Sequence, residues 1–129
     1  MKYLLSIYGD ASGWDEATPE QGAELMAAYE AFDRAAAEAG VLLGGEALEA
    51  PSTATTVRVR DGERLLTDGP FAETREQLGG YYLLDVADLD EALSWAARIP
   101  DAATGCVEVR AVMDFEAEGA ANRDASANA

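Results

Sequence analysis

Histidine is absent from this 129-residue chain, and cysteine and lysine occur once each. Each scarcity removes a class of chemistry. Without an imidazole there is no Ser-His-Asp or Cys-His activation of a nucleophile, no histidine metal ligand and no histidine proton shuttle. A single thiol, Cys106, excludes an internal disulfide and any multi-cysteine zinc site. It lies in the run Cys106-Val107-Glu108-Val109, where it reads as a small buried hydrophobe rather than a reactive group. Positive charge is scarce as well: nine Lys and Arg against 25 Asp and Glu give a formal charge of −16. Lys2 and the scattered arginines form no basic patch, which argues against direct nucleic-acid binding and against anionic membrane surfaces. No run approaches the roughly 20 apolar residues that a bilayer span needs. Met1 to Asp10 lacks a small-residue cleavage site and reads as a strand, so a cytoplasmic location is expected. Neither Gly44-Gly45 nor Gly79-Gly80 has the spacing of a phosphate-binding loop, and no metal motif is present; no cofactor and no metal are expected.

What remains is a chain that is 49% hydrophobic and of a length that suits one domain. Residues 2–8 form a first strand, and 10–18 read as a loop. Thr18-Pro19-Glu20-Gln21 is a capping box with proline at the first helical position, opening a helix that Gly40 stops. Leu25, Tyr29, Phe32 and Ala36 share one face of that helix. Val41 to Glu46 is a second strand, whose Gly44-Gly45 pair suggests a bulge or a close approach. Asp61-Gly62 joins 55–60 and 63–67 into a hairpin. Residues 68–73 break regular structure, and a short helical turn is open for Thr74 to Leu78. Gly79-Gly80 launches the strand Tyr81 to Val86. Asp88 then caps a helix from Leu89 to about Ile99, with Leu89, Leu93 and Ala96/Ala97 inward, and Pro100 ends it. Cys106 to Met113 is the last strand. The domain therefore covers 1–116, and 117–129 is expected to be a flexible, acidic, Ala-rich tail.

This order is α+β: a ferredoxin-like βαββαβ pattern with a β-hairpin inserted at its midpoint. Two helices cover only one face of such a sheet. Yet the first strand is apolar on both alternating sets, with Tyr3, Leu5 and Ile7 against Leu4 and Tyr8. The third behaves alike, with Tyr81 and Leu83 against Tyr82, Leu84 and Val86. A homodimer is the simplest way to cover the second face.

Candidate site residues cluster around the break after the hairpin. Asp68 ends a strand before Gly69-Pro70, which serves either to close a turn or to deliver a carboxylate to a pocket rim as a proton-transfer group. Phe71, Glu73 and Arg75 lie next to it. Tyr8, Tyr29 and Tyr81 are either core residues with one satisfied hydroxyl or the lining of a small-molecule cavity. Glu46 is either a solvated strand end or a pocket acid.

The run Thr67-Asp68-Gly69-Pro70-Phe71-Ala72-Glu73-Thr74-Arg75-Glu76-Gln77-Leu78-Gly79-Gly80-Tyr81-Tyr82 resembles the signature of the YCII-related proteins, in the branch named for its D-G-P-F motif. Val41 to Leu48, Thr55 to Gly62, Asp85 to Leu93 and Val107 to Arg110 resemble further family blocks, so the likeness spans about 1–116. It implies a ferredoxin-like domain that pairs into a dimeric α/β barrel. For other YCII proteins it implies a histidine–aspartate pair with the histidine on the first helix; here the matching position is Tyr29, and there is no histidine to complete the pair. The resemblance also implies a link to extracytoplasmic-function sigma factors. Two functions stand open at this point. One is a dimer that binds an unknown small molecule, whether or not it also catalyses, with its pocket near the Asp68 loop. The other is a non-catalytic regulatory partner or sensor acting with a sigma factor.

Overall fold

The capping box forms as expected. In the computed structural model, which describes residues 1–116, the Thr18 side chain accepts from the Gln21 amide at 3.1 Å while Gln21 accepts from the Thr18 amide at 2.9 Å. The tail expected over 117–129 lies outside the described residues. The helix that follows the box, α2 (Pro19–Glu38), ends at Gly40, whose φ of 74° is costly for any residue with a Cβ. Before it comes a short helix, α1 (Ala11–Asp15), where a loop was expected. Asp10 caps α1, its carboxylate accepting from the Ser12 amide at 3.0 Å and the Ser12 hydroxyl at 2.6 Å. One turn containing Gly13 leaves too short a pattern to show in the sequence.

Four strands form the main sheet: β1 (Lys2–Asp10), β2 (Leu42–Ala47), β5 (Glu76–Asp85) and β6 (Cys106–Ala111), in the order β2-β5-β1-β6. Every neighbouring pair is antiparallel. β1 and β2, joined through α2, are separated by β5; β5 and β6, joined through α3 (Leu89–Ala96), are separated by β1. This is split βαβ connectivity used twice. The expected helical turn at 74–78 is replaced by strand, because Glu76, Gln77 and Leu78 pair with Asp10, Gly9 and Tyr8. Here a ladder to a strand distant in sequence outweighs local propensity.

Between β2 and β5 stands the hairpin, β3 (Thr55–Arg60) and β4 (Glu63–Asp68), a separate two-stranded sheet. Its turn residues Asp61 and Gly62 have φ of 52° and 78°, the double positive φ of a type I′ turn. Val57, Val59, Leu65 and Leu66 are exposed on it. Neither sheet closes on itself.

The core lies between one face of the main sheet and helices α2 and α3. Tyr3, Leu5 and Ile7 from β1 meet Tyr82 and Leu84 from β5, with Phe32 and Ala36 from α2 above them. Leu5 and Leu84 are fully buried, and each such side chain contributes about 1.5–3 kcal/mol of transfer free energy. α3 presents Ala92 and Ala96, followed by Ile99; Leu89 and Leu93, expected inward, are about half exposed. The alanines let the helix backbone lie close to the sheet, and the leucines fall to its flank.

Among the described residues, nothing forms a layer on the opposite face of the sheet. Leu4 pairs with Leu83, Ser6 with Tyr81, and Tyr8 with Leu78 and Cys106. Cys106, expected to be buried, is exposed there. Partial desolvation and then the Glu76 and Glu108 carboxylates push its thiol above the usual range, which disfavours the nucleophilic thiolate. No helix among the described residues is long and apolar enough to cross a membrane.

Candidate functional site

Two glycines make a bed for an aromatic ring. At Ile7/Tyr8 the β1–β5 register shifts, leaving Gly79 as the extra residue of a bulge. The Trp14 indole from α1 rests over Gly79 and Gly9; a Cβ built on either would stand only 2.6–2.7 Å from the ring. Across from Trp14 the first half of α2 stands off the sheet, its residues Leu25 and Met26 exposed. Beneath it opens a cavity of about 910 Å³, bounded by α1, α2, the end of β2 with the loop to Pro51, the bulged part of β5, and the turn at Asp101 to Thr104.

The polar groups of this cavity come in two tyrosine–carboxylate pairs. The Tyr29 hydroxyl donates to Asp101 Oδ2 at 2.5 Å. Tyr82 donates to Asp33 Oδ1. The two rings stack at 6.5 Å between centroids and 22° between planes, and Tyr82 also leans on Phe32 at 4.7 Å. Burial, reinforced by the neighbouring carboxylate, holds both phenols well above their usual pKa, so each stays a proton donor at neutral pH. At the rim, Asp10 is held below the usual carboxylate range by the Ser12 hydroxyl and amide, with a smaller part from Arg75 at 3.4 Å.

The structure distributes the residues singled out in the sequence unevenly. Tyr29 projects into the cavity. Glu46 and Tyr81 border it, but they pair with each other in register opposite the Gly45–Tyr82 pair, so their side chains alternate to the uncovered face. Tyr8 lies on that uncovered face beside Leu78 and Cys106. Arg75 is exposed and lines a smaller cleft with Asp10, Thr74, Glu76 and Thr104. Asp68, Phe71 and Glu73 lie outside the main cavity; Phe71 is 80% exposed, and the Asp68 carboxylate has no hydrogen-bond partner among the described residues. Within one chain, the main cavity is thus lined by the bulged part of β5 and the end of β2 and not by Asp68.

Trp14, Asp33 and Asp101 were not legible as site residues. Asp33 had a signal, since it follows Tyr29 by four positions and shares its side of the helix. Trp14 is a large aromatic in an otherwise polar stretch. Asp101, in the turn after Pro100, had none.

The sequence model of the YCII-related domain matches residues 1–116. The chain belongs to the YCII-related family. It is also similar to an uncharacterised protein of Rhizobium meliloti (strain 1021), 43% identical over 113 residues that cover 85% of this chain and 90% of that protein. In this YCII-related chain, the polar groups of the D-G-P-F run and its surroundings shape a loop. The Gly69 amide donates to the Ala54 carbonyl at 2.6 Å, and the Thr56 hydroxyl donates to the Gly69 carbonyl at 2.9 Å. Gln77 Nε2 donates to the Ala72 and Thr74 carbonyls, at 3.1 and 2.8 Å. Gly69, with φ of 96°, supplies the backbone conformation the turn needs. The turn is closed by these groups and not by the Asp68 side chain.

Proposed function

We propose that this YCII-related protein binds a small organic molecule in the cavity beneath α2 and works as a symmetric dimer. The observation that carries the binding reading is the cavity itself. Its volume of about 910 Å³ is within the range of small-molecule sites. It also combines an aromatic wall (Trp14, Tyr29 and Tyr82) with a small set of placed polar groups.

If turnover occurs, the two pairs are the groups suited to proton transfer. Each holds a phenol as donor against a carboxylate that retains its second oxygen for substrate. This assigns to Asp33 and Asp101 the role that the sequence offered to Asp68. The proton inventory fits isomerisation or elimination next to an acidifying group, chemistry that balances without a redox partner.

The dimer is supported by the uncovered sheet face, where Leu4, Tyr8, Leu78, Tyr81 and Leu83 form an apolar strip. Pairing two copies through that strip would give the ferredoxin-like dimeric barrel that the family resemblance implies. It would also cover Cys106.

Native mass spectrometry of gently purified protein tests both parts. A dimer carrying added small-molecule mass supports the reading. A monomer overturns the pairing. An apo dimer that also shows no amide shifts around Trp14 in a fragment screen overturns the binding.

A further inference from the structure

The chemistry of the lining narrows the ligand. Six acidic residues border the cavity, Asp10, Asp15, Asp33, Glu46, Glu49 and Asp101, and among the described residues no lysine or arginine does. Arg75 neutralises one of them, Asp10, from outside. Glu46 is turned by its register toward the other sheet face. Asp33 and Asp101 are the two held at the cavity by their tyrosine partners, Asp33 on its exposed side, and each keeps one carboxylate oxygen without a donor among the described residues. Trp14, Tyr29 and Tyr82 line the same cavity, and the π-electrons of aromatic rings attract a cation and repel an anion. A cleft bounded by one sign of charge with apolar walls concentrates the opposite sign.

A metal ion does not suit this arrangement. No three potential ligand side chains converge among the described residues, and the space is that of a molecule. Resting on the small-molecule reading above, we infer that the ligand is an organic cation: an amine or quaternary ammonium group on an apolar or aromatic body. The charged head sits between Asp33 and Asp101 against the tyrosine pair, and the body lies along Trp14 and Leu25.

The test uses three probes of one shape, 2-phenylethylammonium, 2-phenylethanol and 3-phenylpropanoate. They are titrated into the full chain at millimolar concentration, with amide and indole N–H shifts as the readout. The ammonium compound should bind about ten-fold more tightly than the alcohol, with shifts at Trp14, Gly22 and Gly79, and the carboxylate should not bind. In the Asp33→Asn/Asp101→Asn variant the preference for ammonium over alcohol should fall to about two-fold or less. Because both substitutions keep size and hydrogen-bonding capacity, binding of the alcohol reports that the cavity survives them. Equal binding of ammonium and alcohol, or a preference for the carboxylate, would overturn the cation assignment while leaving the pocket standing. If none of the three probes shifts the cavity amides, the pocket reading falls as well.

Discussion

Gly79 and Gly80 are adjacent on β5, yet adding one methyl group to each should have opposite consequences. At Gly79 the new Cβ would lie 2.6 Å from the far edge of the Trp14 ring. That ring belongs to a half-buried side chain on a five-residue helix, and it can withdraw by roughly an ångström. The backbone there is not in the left-handed region, so alanine also lowers the entropy of the unfolded chain, worth about 0.4–1 kcal/mol in favour of the variant. Re-exposing some 40 Å² of indole costs about 1 kcal/mol. The two offset, and Gly79→Ala should match the parent in stability within about 1 kcal/mol.

At Gly80 the Cβ meets backbone instead: the Glu46 carbonyl oxygen at 2.8 Å and the Ala47 Cα at 3.3 Å. Relief requires β2 to move off β5. Overpacking costs about 1–3 kcal/mol and each weakened ladder bond about 1 more. A loss of about 3 kcal/mol corresponds to a melting temperature lower by about 10 °C for a domain of this size. Urea or thermal unfolding measures the difference, and tryptophan emission in a Trp95→Phe background reports the ring. Gly79→Ala should redden that emission without lowering stability, while Gly80→Ala should do the reverse. Equal destabilisation by the two, or an unmoved emission maximum in Gly79→Ala, would refute the placement of Trp14 on the β5 bulge.

Tyr82→Phe keeps the ring against Phe32 and removes only the hydrogen bond to Asp33. Because Asp33 is exposed and water can replace its partner, the cost should be about 1 kcal/mol, and it should vanish when measured in an Asp33→Ala background, which has no acceptor. Both cavity phenols hold their protons more tightly folded than unfolded. Above pH about 10 the unfolded chain therefore binds fewer protons than the native one, and stability should fall as pH rises. In a spectrophotometric titration, the tyrosinate signal lost from Tyr29→Phe should come from beyond that pH; loss from the early part of the curve would contradict the burial of Tyr29. Leu83→Asp places a charge in the centre of the uncovered strip and should convert a dimer to a folded monomer in sedimentation, whereas a parent chain already monomeric would remove the reason for the strip.

Where local chemistry decides structure, the sequence was readable. Thr18 and Gln21 cap α2, Asp88 accepts from the Glu91 amide at the start of α3, and Asp61-Gly62 turns the hairpin. Gly44-Gly45 marked a real irregularity, since a bulge lies between Leu42 and Gly44 and the Tyr82 ring crosses Gly45 closely. Readings failed where a distant partner decides. Glu76 to Leu78 became strand because β1 continues to Asp10. Leu89 and Leu93 lost the inner face of α3 to Ala92 and Ala96, because closeness to the sheet, which periodicity does not encode, favours the smaller side chains. The same limit hid most of the site. Tyr29 was singled out by residue type, but its partner is 72 positions away in a turn with no motif. Asp68, conspicuous in its motif, ends exposed because Gly69, Thr56 and Gln77 already hold the loop.

The position of β1 has a bearing on how the chain is made. Within this domain the strand that is made first occupies the interior of the sheet, and both of its neighbours come from the second half of the sequence, Lys2 facing Asp85 and Tyr3 facing Ala111. Until β5 and β6 exist, an apolar strand has two unpaired edges and no native partner. Such non-local pairing slows folding, and it lengthens the interval in which nascent chains can associate through bare edges. A net charge of −16 on the finished sequence, spread over acidic residues along its whole length, opposes such association while the middle of the sheet waits for its sides.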